Sequence, residues 1–189
     1  MKYLLVLEIL ISALLVGCDN TQRWQEEVQL STGETIVINR EVKHRGGGVA
    51  WPQGQGSVPI EHLIRFQYPP GTGNIVEWRS SKFDLPSSTY AELPLVLDIG
   101  VDKTLFVFTK VHINEGCRRY VKYLFKGGAW SELPLPEVIA QHPANLFLAA
   151  GGVGINGLIS LSEKEKENSS IGYMPDFKAV GPKRVICGY

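Results

Sequence analysis

Three cysteines and four histidines are the residues of this chain best suited to ligating a metal or attacking an electrophile: Cys18, Cys117 and Cys187, with His44, His62, His112 and His142. Zinc ligands come in short-spaced groups, and neither Cys117 nor Cys187 has a second Cys or a His at that spacing. The histidines form no H-E-x-x-H motif and no i, i+4 pair. Glu61-His62 and Gln141-His142 are single polar positions beside apolar ones, the pattern of surface or capped histidines rather than of ligands. A Ser-His-Asp site is set by geometry and not by spacing, and the chain has no G-x-S-x-G elbow. Spacing therefore assigns no catalytic residue, no metal and no cofactor.

Two glycine-rich stretches invite a phosphate reading. Gly152-Val153-Gly154-Ile155-Asn156-Gly157 has the spacing G-x-G-x-x-G, but that motif binds a dinucleotide only between a strand and a helix. Here Leu158-Ile159-Ser160-Leu161 follows, which reads as a strand, so a glycine-rich turn is expected. Pro69-Pro70-Gly71-Thr72-Gly73 lacks the first Gly, the Lys and the hydroxyl residue of a phosphate-binding loop, with Tyr68, Asn74 and Ile75 in their places. Lys110, Arg118, Arg119 and Lys122, interleaved with Tyr120 and Tyr123, could meet an anionic surface, but the solvated face of an antiparallel sheet has the same composition.

The N-terminus carries a more specific pattern. Met1-Lys2-Tyr3 precedes an apolar run from Leu4 to Val16, interrupted by Glu8. A basic start and a short apolar run are the layout of a secretory signal peptide. The run is shorter than the roughly 20 apolar residues of a membrane span, and a carboxylate is costly inside a bilayer. It ends in Leu15-Val16-Gly17-Cys18, which resembles the lipobox of bacterial lipoproteins; Glu8 departs from that family's leader. The resemblance implies that the Cys18 thiol receives a diacylglycerol, that residues 1–17 are removed, and that the protein is held at a membrane of the cell envelope. Each buried CH2 of such chains contributes about 0.8 kcal/mol. Asp19 resembles the inner-membrane retention signal of enteric lipoproteins, which implies a periplasm-facing position. With Cys18 given to lipid, Cys117 and Cys187 are left either to pair or to stay as thiols. The envelope permits a disulfide, and one closing a loop of about 70 residues would contribute roughly 4 kcal/mol.

The mature part keeps about 170 residues, enough for one domain with a sizeable core. Its formal charge is zero, against the basic excess of a nucleic-acid binder. A hydrophobic content of 44% is too high for a disordered chain.

The elements that must position any site are strands. Residues 18–25 read as a polar tether, and 26–189 as a single β-rich domain. Glu26 to Leu30 and Thr35 to Val42 flank a Gly-containing break and predict a hairpin. In the second run Ile36, Ile38, Arg40 and Val42 share one face. Residues 44–59 hold five glycines and two prolines, Gly46-Gly47-Gly48, Gly54, Gly56, Pro52 and Pro59, and predict a long loop. Ile60 to Tyr68 and Asn74 to Arg79 predict a second hairpin, and Pro94 to Ile99 a further strand. Thr104 to Ile113, Cys117 to Phe125 and Ala129 to Ser131 predict a three-stranded meander, turning at Asn114-Glu115-Gly116 and at Lys126-Gly127-Gly128. Pro136 to Gln141 has the form of a short helix. Ser162-Glu163-Lys164-Glu165 matches a capping box and predicts a helix to about Asn168. The expected class is mainly β, an antiparallel sheet or meander with one or two short helices.

The mature region is similar to a group of small proteobacterial lipoproteins. The residues that carry the likeness are Trp24-Gln25-Glu26-Glu27-Val28-Gln29-Leu30, Gly33, Ile36-Val37-Ile38 and Leu161-Ser162-Glu163-Lys164-Glu165-Lys166. That group implies a location and no activity. The expected function is a non-catalytic envelope lipoprotein that binds an envelope protein or glycan, or serves a structural role. A membrane-tethered hydrolase would instead bring a His to a Ser, Asp or Glu in a concavity, and a small-ligand carrier would need an apolar cavity.

Overall fold

The computed structural model describes residues 21–45, 58–81, 91–100, 102–112, 118–136, 138–148, 157–170 and 178–181. The architecture is mainly β and mostly antiparallel, with one short helix among the described residues.

Strands β1 (Thr21–Gln29) and β2 (Thr35–Arg45) form the first hairpin, and β3 (Val58–Gln67) and β4 (Ile75–Ser80) the second. Both hairpins follow from period-2 alternation, because successive side chains point to opposite faces of a sheet. In β1 Trp24, Glu26 and Val28 are buried; in β2 Ile36, Ile38, Arg40 and Val42 are buried, the face expected from the sequence. The outer face is polar, with ion pairs Arg23–Glu41, Arg65–Glu77 and Arg79–Glu61. β1 begins at Thr21, so Thr21 to Gln25 are part of the sheet rather than of a polar tether. Parallel pairing of β1 with β10 (Leu158–Ile159) completes a five-stranded sheet in the order β10-β1-β2-β3-β4.

A second sheet has the order β5-β6-β7-β8, from β5 (Leu93–Ile99), β6 (Leu105–His112), β7 (Arg118–Lys126) and β8 (Ala129–Leu133). It contains the expected meander with β5 added at one edge. β7 and β8 are joined at Gly127-Gly128, with φ of 62° and 84°. A two-residue turn of that hand needs positive φ at both central positions, which glycine supplies without steric cost. The turn expected at residues 114–116 lies outside the described residues.

The two sheets pack face to face. Ile36, Ile38, Ile64, Phe66 and Trp78 of the first share one core with Leu97, Ile99, Leu105 and Val107 of the second. Links at the margins are Ser31 N–H to Asp98 at 2.8 Å and the Trp130 indole to the Glu77 carbonyl at 2.7 Å. The second sheet is covered on its other face as well. Phe106, Phe108 and Val96 lie under Ile139 and Val180, next to the small ladder of β9 (His142–Pro143) with β11 (Ala179–Val180).

That cover replaces the helix expected over Pro136 to Gln141. The described residues there are not helical; Val138 sits in an isolated bridge, and Ile139 is buried against the second sheet. Pro134, Pro136 and Pro143 each lack an N–H, and the segment's apolar side chains gain more by covering Phe106 and Phe108 than by coiling. Helix α1 (Leu161–Ser170) forms as expected and packs on β1, but two residues earlier than the predicted cap. Ser160 Oγ accepts the Glu163 N–H at 3.3 Å, and the Glu163 carboxylate accepts the Ser160 N–H at 2.9 Å. The same S-x-x-E pattern occurs in two overlapping frames, and the earlier one turns Lys164 toward the sheet.

Candidate functional site

The inner face of β1 and β2 holds a buried charge cluster. Glu26 has no solvent exposure and Arg40 only 2%. Arg40 Nη1 donates to Glu26 Oε1 at 2.8 Å, and the Phe147 N–H donates to Glu26 Oε2 at 2.7 Å. The Arg40 guanidinium lies over Trp24, 5.2 Å from the ring centroid. Lys164, from α1, brings its ammonium to 3.5 Å from Glu26 Oε2 and donates to the carbonyls of Glu27 and Asn145. Burial lowers the pKa of Arg40 and of Lys164, while Glu26 opposes the shift in both. One carboxylate thus ties together β1, β2, α1 and the segment around Phe147.

Asn145 makes a second junction. Its side-chain carbonyl accepts the Leu97 N–H at 3.0 Å, and its amide donates to the carbonyls of Leu97 at 2.8 Å and Gln29 at 3.0 Å. The side chain stands in for a strand between β5 of one sheet and the end of β1 in the other. Asn168 repeats the pattern from α1, accepting the Leu148 N–H and donating to the Leu146 carbonyl, both at 3.0 Å.

These junctions frame an open cleft of about 660 Å³ between α1, residues 143–148 and the C-terminal end of β1. Leu30, Leu148 and Leu161 give it apolar wall, while Asp98, Lys164, Asn168 and Lys178 give it polar groups of both signs. The volume lies in the range of ligand sites, about 300–1,000 Å³.

A second buried carboxylate, Glu92, lies between the sheets and is 1% exposed. Ser80 donates to its Oε1, Tyr123 to Oε1 at 2.7 Å and Thr109 to Oε2 at 2.6 Å. Burial first, and then Glu92, raises the Tyr123 phenol well above its usual range. His62 is the cross-strand partner of Ser80. Its ring nitrogens find no hydrogen-bond partner among the described residues, and the Ser80 hydroxyl is spent on Glu92. The pair therefore lacks the contact through which an imidazole activates a hydroxyl.

His62 is 2% exposed, which corrects the expectation of a surface or capped histidine. Burial, then Arg40 and His44, push its pKa down to about 3, so it is neutral at ordinary pH. His142 rests against Phe106 and Phe108, with ring centroids 5.6 and 5.0 Å away. The solvated basic face expected on the meander is corrected at Lys110, while Lys122 is half-buried and the side chains of Arg118 and Arg119 lie outside the described residues. Lys110 is fully buried, and Lys122 Nζ lies 4.5 Å from the Phe106 centroid, because the cover over the second sheet reaches them. Among the described residues, no group of three or more His, Cys, Asp or Glu could hold a metal ion, and no helix is long and apolar enough to cross a membrane.

Cys18, Cys117 and Cys187 lie outside the described residues, as do Gly152 to Asn156; Gly157 leads into β10, which is strand only at Leu158 and Ile159 of the expected Leu158–Leu161, because Leu161 already starts α1. The sequence reading missed Glu26, Lys164 and Glu92 as buried groups. Arg40 carried a legible signal, a charge on the same face as Ile36, Ile38 and Val42. No protein-family model, curated protein or solved structure matches the chain.

Proposed function

We propose that the protein is a lipid-anchored, non-catalytic binding module of the bacterial cell envelope, held by a diacylglycerol on Cys18 and binding an envelope protein or glycan through the cleft beside α1. One observation carries the reading. β1 begins at Thr21, three residues after Cys18, and its other end, at Gln29, lines the cleft. A strand rises about 3.3 Å per residue, so β1 separates anchor and cleft by roughly 25 Å. The anchor then holds one end of the first sheet near the membrane, and the cleft lies by the opposite end of β1. The lipobox and signal-peptide pattern supplies the lipid and the compartment, and the mixed lining of the cleft suits a peptide or sugar chain.

Metabolic labelling with a radiolabelled fatty acid tests the anchor: label is expected on the native chain and absent from Cys18→Ser. An unlabelled native chain would end the proposal. Crosslinking in intact cells, followed by pull-down, tests the cleft with Glu165→Lys and Lys178→Glu, two exposed positions that line it. Both variants should keep the lipid and lose the partner. Equal capture by parent and variants would place binding elsewhere.

A further inference from the structure

We infer that the corner of the first sheet around Lys43 and Arg45 is a contact surface for anionic phospholipid headgroups, an inference that rests on Cys18 as the anchor point. Thr21, the first residue of β1, pairs with Lys43, and β2 runs on past it to Arg45, which pairs with Val58. The C-terminal end of β2 therefore projects in the direction from which the chain enters β1. Two residues, Asp19 and Asn20, separate Cys18 from Thr21, and a chain spans at most about 3.6 Å per residue step, so three steps keep Thr21 within about 11 Å of the lipidated residue. This is close to the Debye length of about 8 Å at physiological ionic strength. Lys43 and Arg45, with their long side chains, reach further toward the same surface.

The charge balance of the corner is positive. Lys43 and Arg45 are both exposed. The nearby carboxylates are already engaged: Glu41 holds Arg23 at 3.0 Å, and Glu61, the cross-strand partner of Lys43, holds Arg79 at 2.6 Å. Among the described residues these two cations are left without a salt bridge at the end of the sheet nearest the anchor, against the single carboxylate of Asp19 beside Cys18. A lone acyl anchor binds reversibly and gains from a basic surface beside it. On a fully lipidated Cys18, the same two cations would set the tilt of the domain.

The test uses the full chain carrying Cys18→Ser, so its outcome does not depend on lipidation. Binding is measured by co-sedimentation with vesicles of phosphatidylcholine alone and of phosphatidylcholine mixed with phosphatidylglycerol. The leader is common to all variants and cancels in the comparison. Lys43→Glu with Arg45→Glu should weaken binding to the mixed vesicles by roughly tenfold or more, as expected for charges near an anionic surface. Lys43→Gln with Arg45→Gln, which removes charge without reversing it, should fall between. All three proteins should bind phosphatidylcholine equally, and the differences should close at high salt. Equal binding of the parent and both variants to the mixed vesicles would overturn the inference, and so would a loss that persists on phosphatidylcholine alone. A positive vesicle result beside an unlabelled Cys18 would sink the anchor and leave the basic surface standing.

Discussion

Glu26 and Arg40 face each other diagonally across β1 and β2, joined at 2.8 Å with both side chains removed from solvent. Such a pair adds little net stability when whole, because desolvation of both ions offsets their attraction, but losing one partner strands the other. Here Glu26 also receives the Phe147 N–H and the approach of Lys164, so its loss would release three elements at once. Arg40→Met should lower the free energy of unfolding by about 3–5 kcal/mol. Arg40→Met with Glu26→Leu should recover little of that loss, because the buried Phe147 N–H and the Lys164 ammonium then lose their carboxylate. Urea unfolding of the single and double variants measures both; a double variant as stable as the parent would show that Glu26 serves Arg40 alone and does not tie the other two elements.

The alternation that made β1 to β4 legible in the sequence also put Arg40 on the core face, and the structure keeps it there. Hairpins are local and were readable from their turn residues and periodicity. Long-range pairing was not: β9, β10 and β11 have two residues each and exist only because distant segments meet. For the same reason Lys110 and Lys122 read as surface residues, since nothing in β6 or β7 announces the segment that covers them. Glu92 sits in a polar stretch whose burial is decided by Ser80, Thr109 and Tyr123, from three other strands. Of the candidate site, the sequence offered Leu161 to Lys166 as a capped helix but not the cleft it borders, which forms only when α1 docks on β1.

His62 predicts a pH dependence. Its pKa falls from 6.5 to about 3 on folding, so the unfolded chain binds the proton more tightly. The stability gained by keeping the ring neutral is fully present above about pH 6.5 and declines as pH falls toward 3. The loss should reach a few kcal/mol, since each pKa unit is worth about 1.4 kcal/mol. Urea midpoints measured from neutral to acid pH should fall across that window, and less steeply in His62→Phe. A variant with the same slope as the parent would assign the acid sensitivity to other groups.

Gly181 turns the chain directly after β11 with φ of +85°, and a Cβ there would lie 2.9 Å from the Ile139 carbonyl oxygen and 3.0 Å from that of Ala140. Both contacts are with backbone, which cannot rotate away. Gly181→Ala should therefore cost more than the roughly 1–2 kcal/mol of a left-handed residue alone. The melting temperature should drop by several degrees, and amides of β9 and β11 should exchange faster. Full protection in the variant would mean that the strap over Phe106 and Phe108 adapts without strain.

The Ser160 cap is tested by the two overlapping frames. Ser160→Ala removes the acceptor for the Glu163 N–H, and an N-cap of this kind is worth about 1 kcal/mol. Ser162→Ala, in the frame that looks equivalent in sequence, should be within about 0.5 kcal/mol of the parent, as for an ordinary surface change. Equal losses from the two substitutions would contradict the observed register of α1.

Asn145 separates a packing role from a hydrogen-bonding one. Asn145→Ala leaves the Leu97 N–H and the carbonyls of Leu97 and Gln29 without their side-chain partner. An unmade bond at a buried group costs about 1–3 kcal/mol; the two Leu97 bonds are part-buried and the Gln29 bond is exposed, so the total should be about 2 kcal/mol. Asn145→Asp keeps the acceptor for Leu97 N–H but replaces the donating amide by an anionic oxygen aimed at two carbonyls. It should be at least as destabilising as the alanine at neutral pH, despite its closer shape. Lowering the pH until the new carboxyl is protonated returns one donor, and the aspartate variant should then regain ground on the alanine. Denaturant unfolding of both variants at neutral and acid pH measures the crossover. If the aspartate stays milder than alanine at neutral pH, the amide orientation assigned to Asn145 is wrong, and with it the account of how β1 is tied to β5 beside the cleft.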